Sequence, residues 1–493
     1  MKSLFPAMVV VVVFSGSAFG GFFDALNKVR EVAGAIDNAA AVLSQPVQTQ
    51  QPVVVPQPVQ TVQPVQMVQP VQAVQPVMEV QPVAAPQPAP APQPVQPVAA
   101  LPSVPAPDAA QVAQFAAMRT SSAEAAEPEA EGGTVKFTAP ATPEQIAAAK
   151  AKLGKSDPVR LSFYDGDTET FAAACAAFPE AESLYVDECQ NIKSIAAAAV
   201  LRKLRTASVK NMESLDIAPL SGLPELESVD LGYSKVDDLS PLATLPRLKD
   251  VDFYGSKLKS FAPLASCPSL RKVYFYAAEL PEDGYASLGQ LKQVKQFHGG
   301  LTEMKSIAWL AEVPQAEELK IFSEKIGDLS PIAGATNLRY LRIWNFDGGD
   351  MAPEIGDLSL VSGLVNLEKL ELPGSSYSNL AALGGLVKVR KLDLSGAKKD
   401  IDLSFARAMA DLEDLSLEKS EVNVSNLDAL AGCAKLKRLN LVGVKCACPL
   451  APLAQCQSLE RVTVTKGAFQ AADVAALNAA MQARSSYFKV EER

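Results

Sequence analysis

Few side chains in this chain could do chemistry, and their types narrow the choices. The 493 residues contain one histidine, His298. A Ser-His-Asp triad would have to use it, yet no serine or cysteine nucleophile can be assigned to it. A two-histidine zinc site and bis-histidine haem are excluded by number. His298 reads as a contact or surface residue rather than a catalyst. Asp347-Gly348-Gly349-Asp350 and Glu354 could hold a cation by charge, but the EF-hand spacing is absent and a loop is expected. Asp165-Gly166-Asp167 reads as a solvated turn. Cys446-x-Cys448 has neither a second pair nor a nearby histidine, so it is not a zinc motif. No enzyme and no cofactor is expected. The formal charge of −10 argues against a nucleic-acid partner.

One recurring set does suggest chemistry, and it is the chemistry of recognition. Tyr254, Tyr276, Phe297, Phe322 and Trp344 follow one another at intervals of 21 to 25 residues. Two positions before four of them stand Tyr274, Lys295, Lys320 and Arg342. Aromatic anchors beside cations are the composition of a binding hot spot. These nine residues form the candidate ligand-binding patch, with a protein or glycan as ligand. The competing expectation is that outward aromatics pack on one another and only stabilise the fold. Asp230, Asp252, Glu371 and Asp393 would flank the basic centre with acids.

Those intervals belong to a longer period. Segments of the form apolar-x-x-apolar-x-apolar recur from Leu161/Phe163, through Val294/Gln296, to Val462/Val464. That makes fourteen rungs, mostly 22 or 23 residues apart. The alternation marks a short strand with its apolar side chains facing inward. Motifs such as Leu239-Ser240-Pro241-Leu242 and Leu329-Ser330-Pro331-Ile332 follow. There Ser240 and Ser330 would cap a helical turn with proline at its first position. A unit of strand, turn and short helix cannot bury its own leucines, so it must stack on its neighbours.

These residues resemble the leucine-rich repeat family, in particular the 22-residue bacterial subclass of the internalins. The resemblance covers about residues 155 to 470. It implies an α/β solenoid, with a parallel strand ladder on the concave face and short helices or turns on the convex face. It also implies that the x residues of each strand face a ligand on the concave surface. The family usually places Asn, Cys or Thr three residues after the second strand leucine. Here Cys189, Ser234, Ser256, Ala278, Ser375, Ala397 and Ser420 stand there. Only the serines and the cysteine could satisfy the turn backbone, so a looser ladder is expected.

Ahead of the repeats, Lys2, the apolar run Leu4 to Phe14 and the small residues Ala18 and Gly20 form a secretory signal pattern. The alternative is an uncleaved anchor through residues 4–23, which would associate with a membrane. Either way the remainder is exported: periplasmic, on the cell surface or extracellular. Phe22, Leu26, Val29, Ala33, Ile36, Ala40 and Leu43 share one helix stripe. Residues 22–43 would self-associate as a short coiled coil, lie at an interface or form a frayed helix. Residues 46 to 107 hold 17 of the 36 prolines and a single charge, Glu79. Proline fixes φ and removes a donor, so this stretch is a polyproline-II spacer or a disordered tether.

The domain reading is therefore a signal or anchor over 1–20, a heptad helix over 21–45 and a proline-rich then Ala/Glu-rich linker over 46–133. An N-terminal cap covers 134–157, repeats cover 158–466, and a C-terminal cap helix and tail cover 467–493. Thr142-Pro143-Glu144-Gln145 carries a capping box for a helix to about Leu153, and Ala471 to Arg484 reads as the second cap helix. Cys175, Cys267, Cys433, Cys446 and Cys456 occupy leucine positions and are expected to be buried thiols. Cys433 and Cys456 share one position on adjacent rungs, which is compatible with a disulfide. The expected function is an exported, non-enzymatic binding protein. The alternative is an envelope scaffold whose spacer and N-terminal helix carry the role.

Overall fold

In the computed structural model the described residues are 127–154, 158–300, 303–322, 326–344, 356–445, 448–484 and 488–493. The signal, heptad and proline-rich readings fall outside them. So do the acidic insertion after Trp344 and Cys446.

Nineteen strands occur among the described residues. In chain order they are β1 Glu129–Glu131, β2 Thr134–Thr138, β3 Arg160–Asp165, β4 Ser183–Val186, β5 Thr206–Val209, β6 Ser228–Asp230, β7 Asp250–Asp252, β8 Lys272–Tyr276, β9 Gln296–Gly300 and β10 Glu318–Phe322. Then come β11 Tyr340–Trp344, β12 Lys369–Glu371, β13 Lys391–Asp393, β14 Ile401–Asp402, β15 Asp414–Ser416, β16 Val424–Ser425, β17 Arg438–Leu441, β18 Arg461–Val464 and β19 Lys489–Glu492. Seventeen form one sheet. From β2 onward its pairings are parallel and follow chain order, skipping β14 and β16, which pair with each other. Only β1 runs antiparallel, against β2.

The inward strand residues are buried as their alternation requires. Leu161, Leu184, Val251, Leu319, Leu341, Leu392 and Val462 are all within 1 % of full burial. Fully burying a leucine contributes about 1.5–3 kcal/mol. That contribution exists only because the neighbouring rung closes over it. A phenylalanine spine strengthens the first coils: Phe137 stacks on Phe163 at 4.6 Å, and Phe163 meets Phe171 at 5.2 Å.

On the opposite side most units return through a short 3-10 turn. Ser240 and Ser330 begin such turns without capping them by their own side chains. The residue two before each does so. Asp238 Oδ1 accepts the Ser240 N–H at 2.8 Å, and Asp328 Oδ1 accepts the Ser330 N–H at 2.8 Å. Asp357 and Asp402 repeat the arrangement with Ser359 and Ser404. The cap expected on serine falls instead to the aspartate two residues earlier, whose carboxylate is the better acceptor and takes the serine's own N–H.

The end regions differ from simple caps. Helix α1, Pro143–Lys152, has the expected Thr142/Gln145 capping box. Yet β2, within the expected cap, is a full rung: Val135 pairs with Leu161 and Phe137 with Phe163. Helix α2 spans Thr168–Ala177, α3 Glu282–Ala286 and α4 Ala471–Gln482. After α4 the chain adds one more rung, β19, which places Val490 beside Val462.

At Ser234, Ser256 and Ser420 the ladder position satisfies backbone groups of the turns. Ser256 Oγ donates to Leu231 O at 2.8 Å, Ser234 Oγ accepts the Met212 N–H at 3.1 Å, and Ser420 Oγ accepts the Ala397 N–H at 3.0 Å. Each bond crosses to a neighbouring coil. Cys433 and Cys456 are both free thiols. Each sulfur donates to a carbonyl of the coil before it, Cys433 to Ala406 O and Cys456 to Leu430 O, both at 3.3 Å. Both sulfurs therefore bond in the same direction along the stack, and the disulfide allowed by strand spacing is not formed.

Candidate binding surface

Each longer strand presents three outward residues, at its first, third and fifth positions. Parallel register brings equal positions side by side. Tyr274, His298, Lys320, Arg342 and Glu371 form a middle row from β8 to β12. Tyr276, Gly300, Phe322 and Trp344 form the row at the strand ends.

This register corrects two predicted patch residues. The rung read as Val294/Gln296 is in fact Phe297/Gly299, because Phe297 pairs with Val273 and Leu319. Phe297 is fully buried and packs on Trp309 at 5.0 Å, so it belongs to the core and not to the patch. Lys295 stands one residue before β9 and pairs with Glu317 at 3.2 Å on the rim. His298 takes the patch place instead, buried to 3 % exposure. Glycine at the second core position hid the rung. A Cβ on Gly299 would lie 2.0 Å from the Phe275 ring, so that ring fills the space a leucine takes elsewhere.

The remaining predicted residues lie where the alternation put them. Tyr254, Tyr274, Tyr276, Lys320, Arg342 and Trp344 are partly exposed on the strand face, and Phe322 is covered. The aromatics gather more tightly than their rungs require. Trp344 lies 5.8 Å from Phe322 and 6.2 Å from Tyr276. The Arg342 guanidinium sits 4.3 Å over the Trp344 ring, Lys320 4.4 Å over Tyr340, and Lys272 4.3 Å over Tyr274. The aromatics thus pack on one another, as the competing expectation has it, and cations lie over their faces.

Two carboxylates organise the cations. Glu318 Oε2 is 3.2 Å from His298 Nε2 and 3.5 Å from Lys320 Nζ. The His298 hydrogen bond, helped by Lys320, holds the Glu318 carboxyl down at about 2. Burial lowers the affinity of His298 for a proton. Neutral imidazole then donates Nε2–H to Glu318. Glu371 is nearly covered. It accepts from Tyr340 Oη at 2.9 Å and pairs with Lys391 at 2.6 Å and Arg342 Nε at 3.3 Å. Burial pushes its carboxyl up, but these partners outweigh that and hold it below its ordinary value.

The flanking acids have structural work. Asp230 Oδ1 accepts the Gly232 N–H at 3.0 Å, Asp252 the Tyr254 N–H at 2.9 Å, and Asp393 the Ser395 N–H at 3.0 Å. Each closes the turn after its strand. Burial, and then the like charge of Asp230, push Asp252 up to about 6. Sequence reasoning missed His298, Tyr340 and the role of Glu371. The 22-residue register would have found the first two, had the Phe297 rung and the first strand position been aligned.

Among the described residues no group of three or more His, Cys, Asp or Glu side chains could hold a metal ion. No described helix is long and apolar enough to cross a membrane.

No protein-family model and no curated protein matches the chain. Solved structures do. A leucine-rich repeat protein of Leptospira interrogans superposes with a TM-score of 0.50 at 16 % identity, covering 67 % of this chain and 89 % of that one. An internalin of Listeria monocytogenes aligns with a TM-score of 0.48 at 20 % identity, covering 65 % and 88 %. Together with the repeat register and the strand ladder, the first of these shows that the chain has the leucine-rich-repeat fold.

Proposed function

We propose that this chain is an exported, non-enzymatic binding protein that recognises a polypeptide on its concave strand face. Export rests on the signal pattern of residues 1–20. Binding rests on one observation. Tyr276 and Trp344 meet on the outward face, with Arg342 stacked on Trp344 and Lys320 one rung away. Aromatic surface beside partly neutralised cations is the composition that carries binding energy in protein interfaces. The patch comprises Tyr254, Tyr274, Tyr276, Lys320, Phe322, Arg342 and Trp344, with His298 in its middle row. Phe322 contributes as the floor under its neighbours.

The test selects displayed peptides, and separately an array of glycans, on the full-length protein. Each selected ligand is then measured against a Tyr276→Ala/Trp344→Ala variant whose circular dichroism and Tm match the wild type's. Ligands that lose at least about tenfold in affinity support the site. Ligands that bind both proteins equally would reject it, and a glycan-only selection would replace the polypeptide.

A further inference from the structure

One residue before each strand of the main sheet from β4 to β18, a continuous row runs along the rim. Each residue there donates its N–H to the carbonyl of the one before: Arg205 to Glu182, Glu227 to Arg205, Lys249 to Glu227, and so on through Arg271, Lys295, Glu317, Arg339, Glu368, Arg390, Glu413, Lys437 and Glu460. The charges alternate in sign along the row. Neighbours pair accordingly: Arg205 and Lys249 each reach Glu227 at 2.6 Å, Arg339 reaches Glu368 at 2.5 Å, and Lys437 reaches Glu413 at 2.7 Å.

The alternation fails once. Lys249, Arg271 and Lys295 are three successive cations. Lys249 and Lys295 turn outward from the triplet to Glu227 and Glu317. Arg271 stands between them and is exposed; its hydrogen bonds go to the backbone carbonyls of Leu270 and Gln293, at 3.2 and 3.5 Å. Lys272 beside it lies over the Tyr274 ring. Like charges directly opposite on neighbouring strands are destabilising. A glutamate at 271 would restore the pattern seen everywhere else on the rim. In a chain of net charge −10 the surplus is local and specific to these three rungs.

We propose that the Lys249–Arg271–Lys295 step, with Lys272, docks a short acidic stretch of a partner polypeptide, two or three neighbouring carboxylates. The inference rests on the strand face being a protein-binding surface and names the chemistry of its partner. The width of the cationic window decides against a long polyanion. Two ladder steps span roughly 10 Å. Beyond them Glu227 and Glu317 stand on either side, followed by Arg205 and Glu182 in one direction and Arg339 and Glu368 in the other. A phosphate backbone laid along the rim would meet those acids, whereas a short run of Asp or Glu fits between them.

The experiment uses the full-length protein and a fluorescein-labelled peptide with three consecutive glutamates, read by fluorescence anisotropy. A glutamine counterpart and a labelled single-stranded oligonucleotide run in parallel. Arg271→Glu is measured both for binding and for Tm. The expected result is that the glutamate peptide binds at least about tenfold tighter than the glutamine peptide, and more weakly as salt rises. Arg271→Glu abolishes that preference while its Tm rises. No preference for glutamate, or tighter binding of the oligonucleotide, overturns the proposal. So does an Arg271→Glu variant that binds as before or melts at a lower temperature. These outcomes are independent of the Tyr276→Ala/Trp344→Ala variant, so failure of the aromatic site and failure of the acidic docking step are told apart.

Discussion

Tyr276 and Trp344 touch across three ladder steps. Their ring centroids are 6.2 Å apart, while three strand spacings amount to roughly 14 Å. Gly300 and Phe322 occupy the two rungs between them. The contact requires both rings to lean inward, and Gly300 provides the room. A Cβ there would lie 2.3 Å from the Phe322 Cβ and 2.7 Å from its carbonyl oxygen.

Gly300→Ala should therefore force Phe322 and the backbone of β10 apart. Overpacking of this kind costs about 1–3 kcal/mol. Urea unfolding should show the loss, and the emission of Trp344 should shift to the red as Tyr276 separates from it. Unchanged stability and emission would show that the glycine is not what permits the contact.

The single histidine makes its protonation directly observable. Burial depresses the proton affinity of His298, so its midpoint should fall below the ordinary value of about 6.5. A group with a depressed folded pKa contributes stability above its unfolded pKa and loses it as pH falls through the folded one. The protein should weaken as pH drops below about 6.5. A proton NMR titration of the one imidazole resonance checks this, and a midpoint above 6.5 would show that the Glu318 carboxylate outweighs burial.

Asp252 gives the opposite sign. Its carboxyl is raised to about 6 by burial and by Asp230, so the stability it contributes is full below its unfolded pKa and is lost as pH rises through the folded one. Asp252→Asn keeps an acceptor for the Tyr254 N–H, as Asn440 does for Val442 at 3.1 Å. The variant should gain about 1–2 kcal/mol over wild type at pH 8 and nothing at pH 4. Equal gains at both values would point to something other than charge.

The thiols of Cys175, Cys267, Cys433 and Cys456 are buried, and burial raises them to about 11 or 12. They should resist a thiol reagent at neutral pH in the native protein and react once urea unfolds it. A non-reducing digest that yields a linked Cys433–Cys456 fragment would contradict the two separate thiol-to-carbonyl bonds.

The repeat was legible because its signal is redundant. Thirteen of the fourteen expected rungs keep two apolar residues at the strand positions, and one slip does not erase a period. The Phe297 rung was misread because its second core residue is Gly299, whose role is filled from outside by Phe275. The rungs at β2 and β19 were missed because each lies next to a helix that reads as a cap. The patch was legible in outline, since alternation alone places Tyr276 and Trp344 outward. Its details were not. Whether an aspartate closes a turn, as Asp252 does, or faces a ligand depends on a backbone amide two residues on, and no spacing rule encodes that distance.

Since every coil is braced only by the coil on either side, the assembly has no central knot to hold it. Pulled from one end, it should pay out like thread from a spool rather than give way at once. Each unwound coil of 22 residues would lengthen the chain by roughly 70 Å. A protein built this way can yield a turn or two under load while the turns further along keep their grip.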